Sequence, residues 1–344
     1  MTEPRRDDPR LALLRHWLEI DLGWRDATLA PASADASFRR YFRVTRRESS
    51  CIAMDAPPDK ENVEPYLAVA GMLAGIGVNA PRVVDRNEEQ GFLLLTDLGS
   101  VTYLDALADR GRAGRLYADA ISALVRIQAG GSAHAASLPP YDEKLLRFEM
   151  SLFTDWLLGR HLGLALDDDE LRDLGRVFDL LVANALAQPR VFVHRDYHSR
   201  NLMVCERDNP GILDFQDAVN GPLTYDLVSL LRDCYIDWPQ HRVVDWAREF
   251  RREALAAGLE AGADELQFLR WFDLMGVQRH LKASGIFARL WHRDGKSGYL
   301  PDVPRTLGYV EQACERHPDL AALGELVRER VLPAVRLSLE VNRA

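Results

Sequence analysis

The first 95 residues carry apolar positions at spacings that predict short helices alternating with strands. Residues 9–20 and 62–76 repeat apolar side chains every three or four positions, which is the pattern of an amphipathic helix. Residues 38–55 predict two strands around the polar turn RRESS, and residues 83–95 predict a second strand pair around DRNEEQG. This region is therefore predicted to be a small β-rich lobe.

Helical periodicity dominates from Tyr103 onward, with helices predicted over 115–129, 142–163 and 169–187. Three short apolar runs interrupt these helices and are predicted to be strands: Val191–Val193, Leu202–Val204 and Ile212–Leu213. Because the turn CERDNPG joins the last two runs, we expect a hairpin there and one small sheet for all three runs.

The whole pattern predicts an α+β fold with two lobes. The β-rich lobe covers residues 1–95, a hinge-like connector covers 96–99, and a large, mainly helical lobe covers 100–344.

Composition and charge narrow the class of protein. Of the 344 residues, 47% are hydrophobic and 28% are charged, as in an ordinary folded protein. No apolar stretch predicts a transmembrane helix, and the N-terminus lacks the apolar core of a secretory signal. The net charge of −9 disfavours a broad nucleic-acid surface, which leaves a small molecule as the expected partner. The four cysteines are widely spaced, which favours reduced thiols and a cytoplasmic protein.

The segment VFVHRDYHSRNLMV carries the strongest chemical signal in the chain. His194, Asp196 and Asn201 form the pattern H-x-D-x-x-x-x-N, and a later apolar run ends in D-F-Q at Asp214. Phosphoryl transfer needs an aspartate that accepts the proton of the attacking hydroxyl, and oxygen ligands that bind Mg²⁺ beside the phosphates. We therefore predict Asp196 as the catalytic base and His194 as the residue that orients its loop. Asn201 and Asp214 are the predicted Mg²⁺ ligands.

Together, HRDYHSRN and ILDFQDA resemble the catalytic and metal-binding segments of the aminoglycoside phosphotransferase and choline kinase family. The resemblance extends to ASFRRYFRV, LLLTDLG and GPLTYDLVSLLRDCYI, so it covers nearly the whole chain. It implies a bilobal protein-kinase-like fold, ATP and Mg²⁺ as cofactors, and Asp226 as a brace for the catalytic loop. Protein kinases continue with D-F-G and A-P-E, whereas Phe215 and Gln216 follow Asp214 here, which favours a small-molecule kinase.

Longer strings resemble one branch of that family, the bacterial kinases of free cell-wall amino sugars. They include DASFRRYFRV, MDAPPDKENVEPY, LTDLGSVTYLD and DLMGVQRHLKASGIFARLWHRDGKSGYL. The resemblance implies an enzyme that uses ATP to phosphorylate the anomeric hydroxyl of N-acetylmuramate or N-acetylglucosamine in peptidoglycan recycling. It leaves the oligomeric state and the preference between the two sugars open.

The nucleotide side departs from the kinase pattern in two ways. The stretch that would cover the phosphates, Ala34–Phe38, is not glycine-rich, although the Ser37 hydroxyl could reach a phosphate. Met54 or a neighbour stands where kinases carry a lysine on the third strand, and Arg43 and Lys60 are the candidate replacements. The resemblance also implies a hinge that binds the adenine through its backbone: Thr96, Asp97 and Leu98.

The acceptor pocket is predicted from the basic stretch VQRHLKASGIFARLWHRDGKSG and from residues near the catalytic loop. Helical spacing puts four cations near one face: Arg279, Lys282, Arg289 and Arg293. A convergent basic face suits an anionic substrate such as N-acetylmuramate, unless Gly285 breaks the helix. The other predicted substrate residues are His198, Arg200, Asp233, Tyr235 and His280.

The sequence leaves three alternative functions open. The missing lysine and glycines would suit an inactive pseudokinase or a nucleotide-binding module. His194, Asp196 and His198 are clustered as the ligands of a metal-dependent hydrolase would be. The same fold could also phosphorylate an aminoglycoside or another hydroxyl compound.

Overall fold

A computed structural model gives the structure of the chain and describes residues 8–34 and 38–341. The described residues form two compact units. The smaller unit is drawn from Met1–Val101 and Met203–Asp217, and the larger from Thr102–Leu202 and Ala218–Ala344. The lobe boundaries drawn from the sequence stay a prediction, because compact units and functional lobes need not share a border.

Among the described residues of the smaller unit, five strands form one antiparallel sheet in the order β1-β2-β3-β5-β4. The strands are β1 (Thr28–Ala34), β2 (Arg40–Arg46), β3 (Ser49–Asp55), β4 (Val83–Asn87) and β5 (Phe92–Thr96). The two predicted strand pairs, β2 with β3 and β4 with β5, are confirmed. Strand β1 was not predicted, because its sequence TLAPASA has few large apolar residues and a proline.

The two faces of this sheet have different partners. The helix α1 (Pro9–His16) and the π-helical segment that follows it (Trp17–Asp21) pack on one face, where Phe42 belongs to the core. Because side chains alternate along a strand, Tyr41 and Arg43 project from the other face. The polar side chains of β2 that could meet a ligand are therefore those on the face without α1.

The helix α2 (Glu64–Ile76) completes the smaller unit. The helices of the larger unit are α3 (Tyr103–Ala106), α4 (Ala113–Gly130), α5 (Glu143–Leu152), α6 (Asp168–Leu186), α7 (Tyr225–Leu231), α8 (Gln240–Ala256), α9 (Glu265–Asp294), α10 (Val303–Arg316), α11 (Ala321–Leu326) and α12 (Leu332–Val341). Its π-helical segments are Phe153–His161 and Val327–Val331, and its 3-10 turns are Arg110–Arg112, Gly131–Ala133, Ala135–Ser137, Ser297–Asp302 and Pro318–Leu320. The helices predicted from periodicity are confirmed, each within a few residues of its predicted ends.

The strands around the catalytic segment form two short sheets, so the prediction of one small sheet is wrong. Strand β6 (Arg190–Val193) pairs with β9 (Val219–Pro222), and β7 (Leu202–Met203) pairs with β8 (Gly211–Ile212). The hairpin between β7 and β8 was predicted correctly. The partner of β6 was missed because Val219–Pro222 contains a glycine and a proline, which hide a strand in the sequence.

Helix α9 runs without interruption through Gly285, so this glycine does not break the helix. A Cβ atom on Gly285 would lie 2.2 Å from the carbonyl carbon of Leu152. This glycine therefore serves the close approach of α9 to the end of α5. No helix in the described residues combines the length and apolar character needed to cross a bilayer.

Candidate active site

The predicted catalytic loop lies between β6 and β7 in the larger unit. Arg195 has a φ of 78°, in the left-handed region that residues other than glycine rarely adopt. The backbone N–H groups of His194 and Arg195 donate to the two carboxylate oxygens of Asp226, at 2.6 and 2.9 Å. A carboxylate on helix α7 thus holds the loop in its strained conformation.

Asp226 is fully buried, which is unusual for an acidic residue. Burial raises the pKa of Asp226 to about 7, and the N–H groups of His194 and Arg195 oppose that rise. Because each of its oxygens accepts an N–H group, the ionised form fits the observed geometry best. The brace that the family resemblance implied for Asp226 corresponds in this structure to two backbone hydrogen bonds.

Hydrogen bonds inside the loop orient Asp196 and Asn201. The backbone N–H of Asp196 donates to Nδ1 of His194 at 3.2 Å. The side-chain Nδ2 of Asn201 donates to the carbonyl oxygen of Asp196 at 3.0 Å, and the backbone N–H of His198 donates to the same oxygen at 3.0 Å. The predicted base, the predicted metal ligand and the predicted orienting histidine are therefore parts of one hydrogen-bonded loop.

A second buried carboxylate holds the far side of the loop. Asp233 accepts the backbone N–H of Ser199 and that of Tyr235, each at 2.9 Å. Its exposed fraction is 1%. The contact predicted between Asp233 and the acceptor stays a prediction, and what the structure shows for its carboxylate is a brace on the loop.

Glu149 on α5 forms a buried charge network beside the loop. Its carboxylate forms ion pairs with Lys282 Nζ, at 2.7 Å, and with the guanidinium of Arg195, and it accepts the hydroxyl of Tyr141. Lys282 also donates to the hydroxyl of Tyr225 at 2.8 Å. Lys282 was predicted to meet the acceptor, and in this structure its ammonium group is engaged by these two partners.

Glu149 was missed by the sequence analysis. A signal for it exists, because Glu149 stands on the apolar face of α5 together with Leu146 and Met150. An acidic residue on a buried helix face needs a partner. The sequence alone does not say which of the many arginines and lysines supplies that partner.

The charges around Asp196 decide its protonation state. Burial raises the pKa of Asp196, but the cations Lys282, Arg195 and Arg279 outweigh this effect and hold the pKa below its ordinary value. Burial lowers the pKa of His198, so its imidazole is neutral near pH 7. Asp196 is therefore ionised and able to accept a hydrogen bond from a hydroxyl donor.

The remaining predicted acceptor residues differ in their surroundings. His280 is fully buried, with Nε2 at 2.8 Å from the carbonyl oxygen of Arg232, and burial lowers its pKa to about 3. Arg279 is buried, with Nη1 at 3.8 Å from the sulfur of Cys234. Arg200 is exposed on the loop and lies over the ring of Tyr235. Their roles toward an acceptor stay predictions.

In the smaller unit, Asp214 follows β8 with a φ of 62°. The side-chain Nε2 of Gln216 donates to Oδ1 of Asp214 at 2.9 Å. The ring of Phe215 packs on the ring of Tyr66 from α2, with centroids 4.7 Å apart. In the D-F-Q segment, the carboxylate of Asp214 and the ring of Phe215 are thus each held by a neighbouring side chain.

The predicted hinge, which follows β5, is held by an arginine of β2. Arg43 donates from Nε and Nη2 to the carboxylate of Asp97, at 2.6 and 3.0 Å, and from Nη2 to the carbonyl oxygen of Gly99 at 2.7 Å. The N–H of Thr96 donates to the carbonyl oxygen of Arg82 at 2.9 Å. Within the described residues the N–H of Leu98 has no hydrogen-bond acceptor.

A second arginine, one residue before β2, pairs with an acid next to α2. Nε of Arg39 lies 3.7 Å from Oε2 of Glu61, and both side chains are largely buried. The backbone N–H of Phe38 donates to Oε1 of Glu61 at 3.1 Å, which fixes that carboxylate. Lys60 is half-exposed beside Asp59, and Ser37 lies outside the described residues. The sequence analysis missed Arg39, because nothing distinguishes it there from its neighbours.

The predicted Mg²⁺ ligands offer a suitable donor set. Asn201 belongs to the larger unit and Asp214 to the smaller. An amide oxygen and a carboxylate are hard oxygen donors, and Mg²⁺ usually takes only one or two protein ligands besides water and phosphate. Among the described residues no group of three or more His, Cys, Asp and Glu side chains is arranged to hold a metal, which gives the hydrolase alternative no support.

The sequence profile of the phosphotransferase enzyme family matches residues 28–272, which is most of the chain. The chain belongs to the phosphotransferase enzyme family. The matched range includes the motif residues His194, Asp196, Asn201 and Asp214 of this chain. The family resemblance read from the sequence is thereby confirmed.

Two characterised relatives resemble this phosphotransferase over almost their whole length. The N-acetylmuramate/N-acetylglucosamine kinase of Pseudomonas aeruginosa is 50% identical over 331 residues, which cover 93% of this chain and 97% of that protein. The kinase of the same name from Pseudomonas putida is 48% identical over 332 residues, covering 94% of this chain and 97% of its own.

Solved structures confirm the fold expected for the family. The ethanolamine kinase of Plasmodium vivax superposes with a TM-score of 0.62 at 12% identity, covering 90% of this chain and 89% of that one. An ADP-bound aminoglycoside phosphotransferase superposes with a TM-score of 0.58 at 14% identity, covering 88% of this chain and 97% of that one. The α+β, protein-kinase-like fold of this phosphotransferase is therefore established.

Proposed function

We propose that this phosphotransferase is a sugar kinase that transfers the γ-phosphoryl group of ATP to the anomeric hydroxyl of free N-acetylmuramate and N-acetylglucosamine. The reaction type is carried by one observation, which is Asp196 on a loop whose backbone is braced by the buried carboxylates of Asp226 and Asp233. The acceptor is inferred from the two Pseudomonas relatives and their 50% and 48% identity to this chain.

In the proposed reaction, the acceptor hydroxyl donates a hydrogen bond to Asp196, which orients the oxygen toward the phosphorus and accepts its proton as the new bond forms. His194 and Asn201 keep the backbone of Asp196 in place through the hydrogen bonds at 3.2 and 3.0 Å. Positioning is the main task, because the phosphoryl group is transferred through a loose transition state. A loop that is fixed before the substrates bind suits that task.

The donor set of Asn201 and Asp214 suits Mg²⁺, and we propose these two residues as its ligands. When bound, Mg²⁺ would neutralise the charge of the β- and γ-phosphates. The protein's contribution is the orientation of the two ligands. Two hydrogen bonds supply this orientation. One runs from Asn201 Nδ2 to the Asp196 carbonyl oxygen, and the other from Gln216 Nε2 to the Asp214 carboxylate.

We propose Arg39 as the cation that takes the place of the third-strand lysine, in addition to the two candidates predicted from the sequence, Arg43 and Lys60. Arg43 already binds both Asp97 oxygens and the Gly99 carbonyl, and Lys60 is half-exposed. Arg39 lies one residue before β2, and its Nε lies 3.7 Å from Oε2 of Glu61, which orients the guanidinium. An arginine in this position can bind two phosphate oxygens at once.

The proposal also covers the nucleotide base and the location of the enzyme. The N–H of Leu98 is the hinge donor that we propose for an adenine nitrogen, since the N–H of Thr96 is bound to Arg82. ATP is a cytoplasmic nucleotide, so the enzyme is proposed to act in the cytoplasm. Its role there would be to recover amino sugars released from the cell wall.

The decisive experiment measures ADP release from Mg-ATP with N-acetylmuramate, N-acetylglucosamine, kanamycin and choline offered separately, with products analysed by phosphorus NMR. A sugar 1-phosphate formed from the two amino sugars alone is the expected result. Phosphorylation of kanamycin or choline in place of the amino sugars would replace the proposed acceptor. ATP hydrolysis that no acceptor stimulates would refute the assignment as a sugar kinase.

A further inference from the structure

Arg200 is the exposed cation of the catalytic loop, four residues after Asp196. Its backbone is fixed, because the preceding residue, Ser199, donates its N–H to the buried carboxylate of Asp233 at 2.9 Å. A side chain at this position projects from the same rigid loop that carries the proposed base. It therefore has a defined location relative to any acceptor that reaches Asp196.

The guanidinium of Arg200 is oriented by aromatic rings. Its central carbon lies 3.7 Å from the centroid of the Tyr235 ring and 5.6 Å from that of Tyr299. Phe287 of α9 packs against both rings, at 6.3 Å from Tyr235 and in a near-parallel stack at 5.7 Å from Tyr299. We name Tyr235, Phe287 and Tyr299 the aromatic platform. A guanidinium lying over a ring keeps its N–H groups directed outward from its edge.

The charge of Arg200 has no carboxylate partner in the part of the chain that the structure describes. The carboxylate of Asp302 interacts electrostatically with Arg200, but it forms its ion pair with Arg305 at 3.0 Å. The cations that the sequence suggested for an anionic substrate are engaged differently. Lys282 is buried with Glu149, and Arg293 pairs with Asp294 at 2.8 Å.

The two proposed acceptors differ in one charged group. N-acetylmuramate is N-acetylglucosamine with a lactyl ether, and this ether carries a carboxylate. A planar carboxylate is the group that a fixed guanidinium binds through two parallel hydrogen bonds. An exposed arginine without a carboxylate partner, held on an aromatic platform beside the base, has the chemistry to recognise that group.

We propose that Arg200 on the aromatic platform binds the lactyl carboxylate of N-acetylmuramate and so determines how well this sugar competes with N-acetylglucosamine. The proposal rests on the sugar kinase function proposed above. Arg200 is a specificity residue in this scheme and takes no part in proton transfer. N-acetylglucosamine, which lacks the carboxylate, does not use it.

The test compares Arg200→Gln with the wild type on both sugars by steady-state kinetics. Loss of a charge-assisted pair predicts a kcat/KM for N-acetylmuramate that is about 10-fold to 100-fold lower, with N-acetylglucosamine changed less than about 2-fold. Arg200→Lys keeps the charge without the planar fork and should fall between the two. The matched control is Arg115→Gln, which removes an exposed arginine of α4 and should change neither sugar.

The methyl ester of N-acetylmuramate supplies a second readout that a general loss of activity would not reproduce. For the wild type, esterification should lower kcat/KM by about the same factor as Arg200→Gln lowers it for the acid. The Arg200→Gln variant should have the same kcat/KM for the acid and for the ester. Equal losses of Arg200→Gln on both sugars, or no loss on N-acetylmuramate, would overturn the role of Arg200. A wild-type enzyme that phosphorylates neither sugar would overturn the proposed function itself, and this inference with it.

Discussion

The catalytic loop of the larger unit and the strand β2 of the smaller unit, which carries Arg43, are stabilised in different ways. The loop is braced by the carboxylates of Asp226, Asp233 and Glu149, whose exposed fractions are 0%, 1% and 2%. The sheet carries arginine–carboxylate pairs near the surface, and the Arg43 side chain is 31% exposed. The difference lies in the access of water to the charges.

This difference matches what each region has to do. A buried carboxylate that loses its partner cannot be solvated by water, so the loop has one stable geometry. A partly exposed pair can exchange its carboxylate for water or for a phosphate at little cost. We therefore expect the groups proposed to position the hydroxyl to be fixed before binding, and the partly exposed pair of Arg43 to be able to change partners.

The largest effect is expected for Asp196→Asn. An amide cannot accept the hydroxyl proton, so kcat should fall by about 100-fold to 10,000-fold. Binding of Mg-ATP, measured by calorimetry, should stay within a few-fold of the wild type, since Asp196 is not a proposed ligand of nucleotide or metal. Full activity of this variant would remove Asp196 from the mechanism and end the contrast between the two regions.

The second prediction concerns stability and uses Glu149→Gln. This change leaves Lys282 and Arg195 without their buried counter-charge, which should destabilise the enzyme by about 3–5 kcal/mol. Glu143→Gln on the same helix is the matched control, since the pair of Glu143 with Arg147 is exposed and should contribute less than about 1 kcal/mol. Urea unfolding measures both values. Equal effects would contradict the distinction between buried and exposed carboxylates.

A smaller effect is expected for Arg39→Gln. Loss of the proposed phosphate cation should weaken Mg-ATP binding by about 10-fold, because a charge-assisted contact is lost. Arg46→Gln removes an arginine of β2 that pairs with exposed Asp26 and should leave binding unchanged. Direct calorimetry separates this role from an effect on the chemical step. Unchanged affinity in Arg39→Gln would return the search to Arg43.

The smallest effect is expected from pH. The pKa of Asp196 is held below its ordinary value of 3.8, so Asp196 should stay ionised down to about pH 5.5, and any fall in kcat between about pH 8 and 5.5 should follow Asp226. Burial raises the pKa of Asp226 to about 7, so its protonation should raise the free energy of unfolding as the pH falls through about 7. Unfolding measured over the same range separates the two residues. A fall in kcat on the acid side with unchanged stability would show that Asp196 is not held ionised.

The sequence by itself was enough to predict the candidate catalytic residues and most of the fold. His194, Asp196 and Asn201 lie within eight positions, so the backbone alone brings them into one loop. Helices such as α4 and α6 were predictable because their apolar periodicity extends over many residues. Local patterns of this kind need no knowledge of distant contacts.

The tertiary structure decided which charges meet which partners. Glu149, Lys282 and Arg195 come from three separate segments, and no spacing in the sequence connects them. The same holds for Arg43 with Asp97 and for Arg200 on Tyr235 and Tyr299. Lys282 was thus predicted as a free cation, and Arg200 was named without its platform. Whether a charged side chain is engaged or available depends on burial and on long-range neighbours, and these are properties of the folded chain.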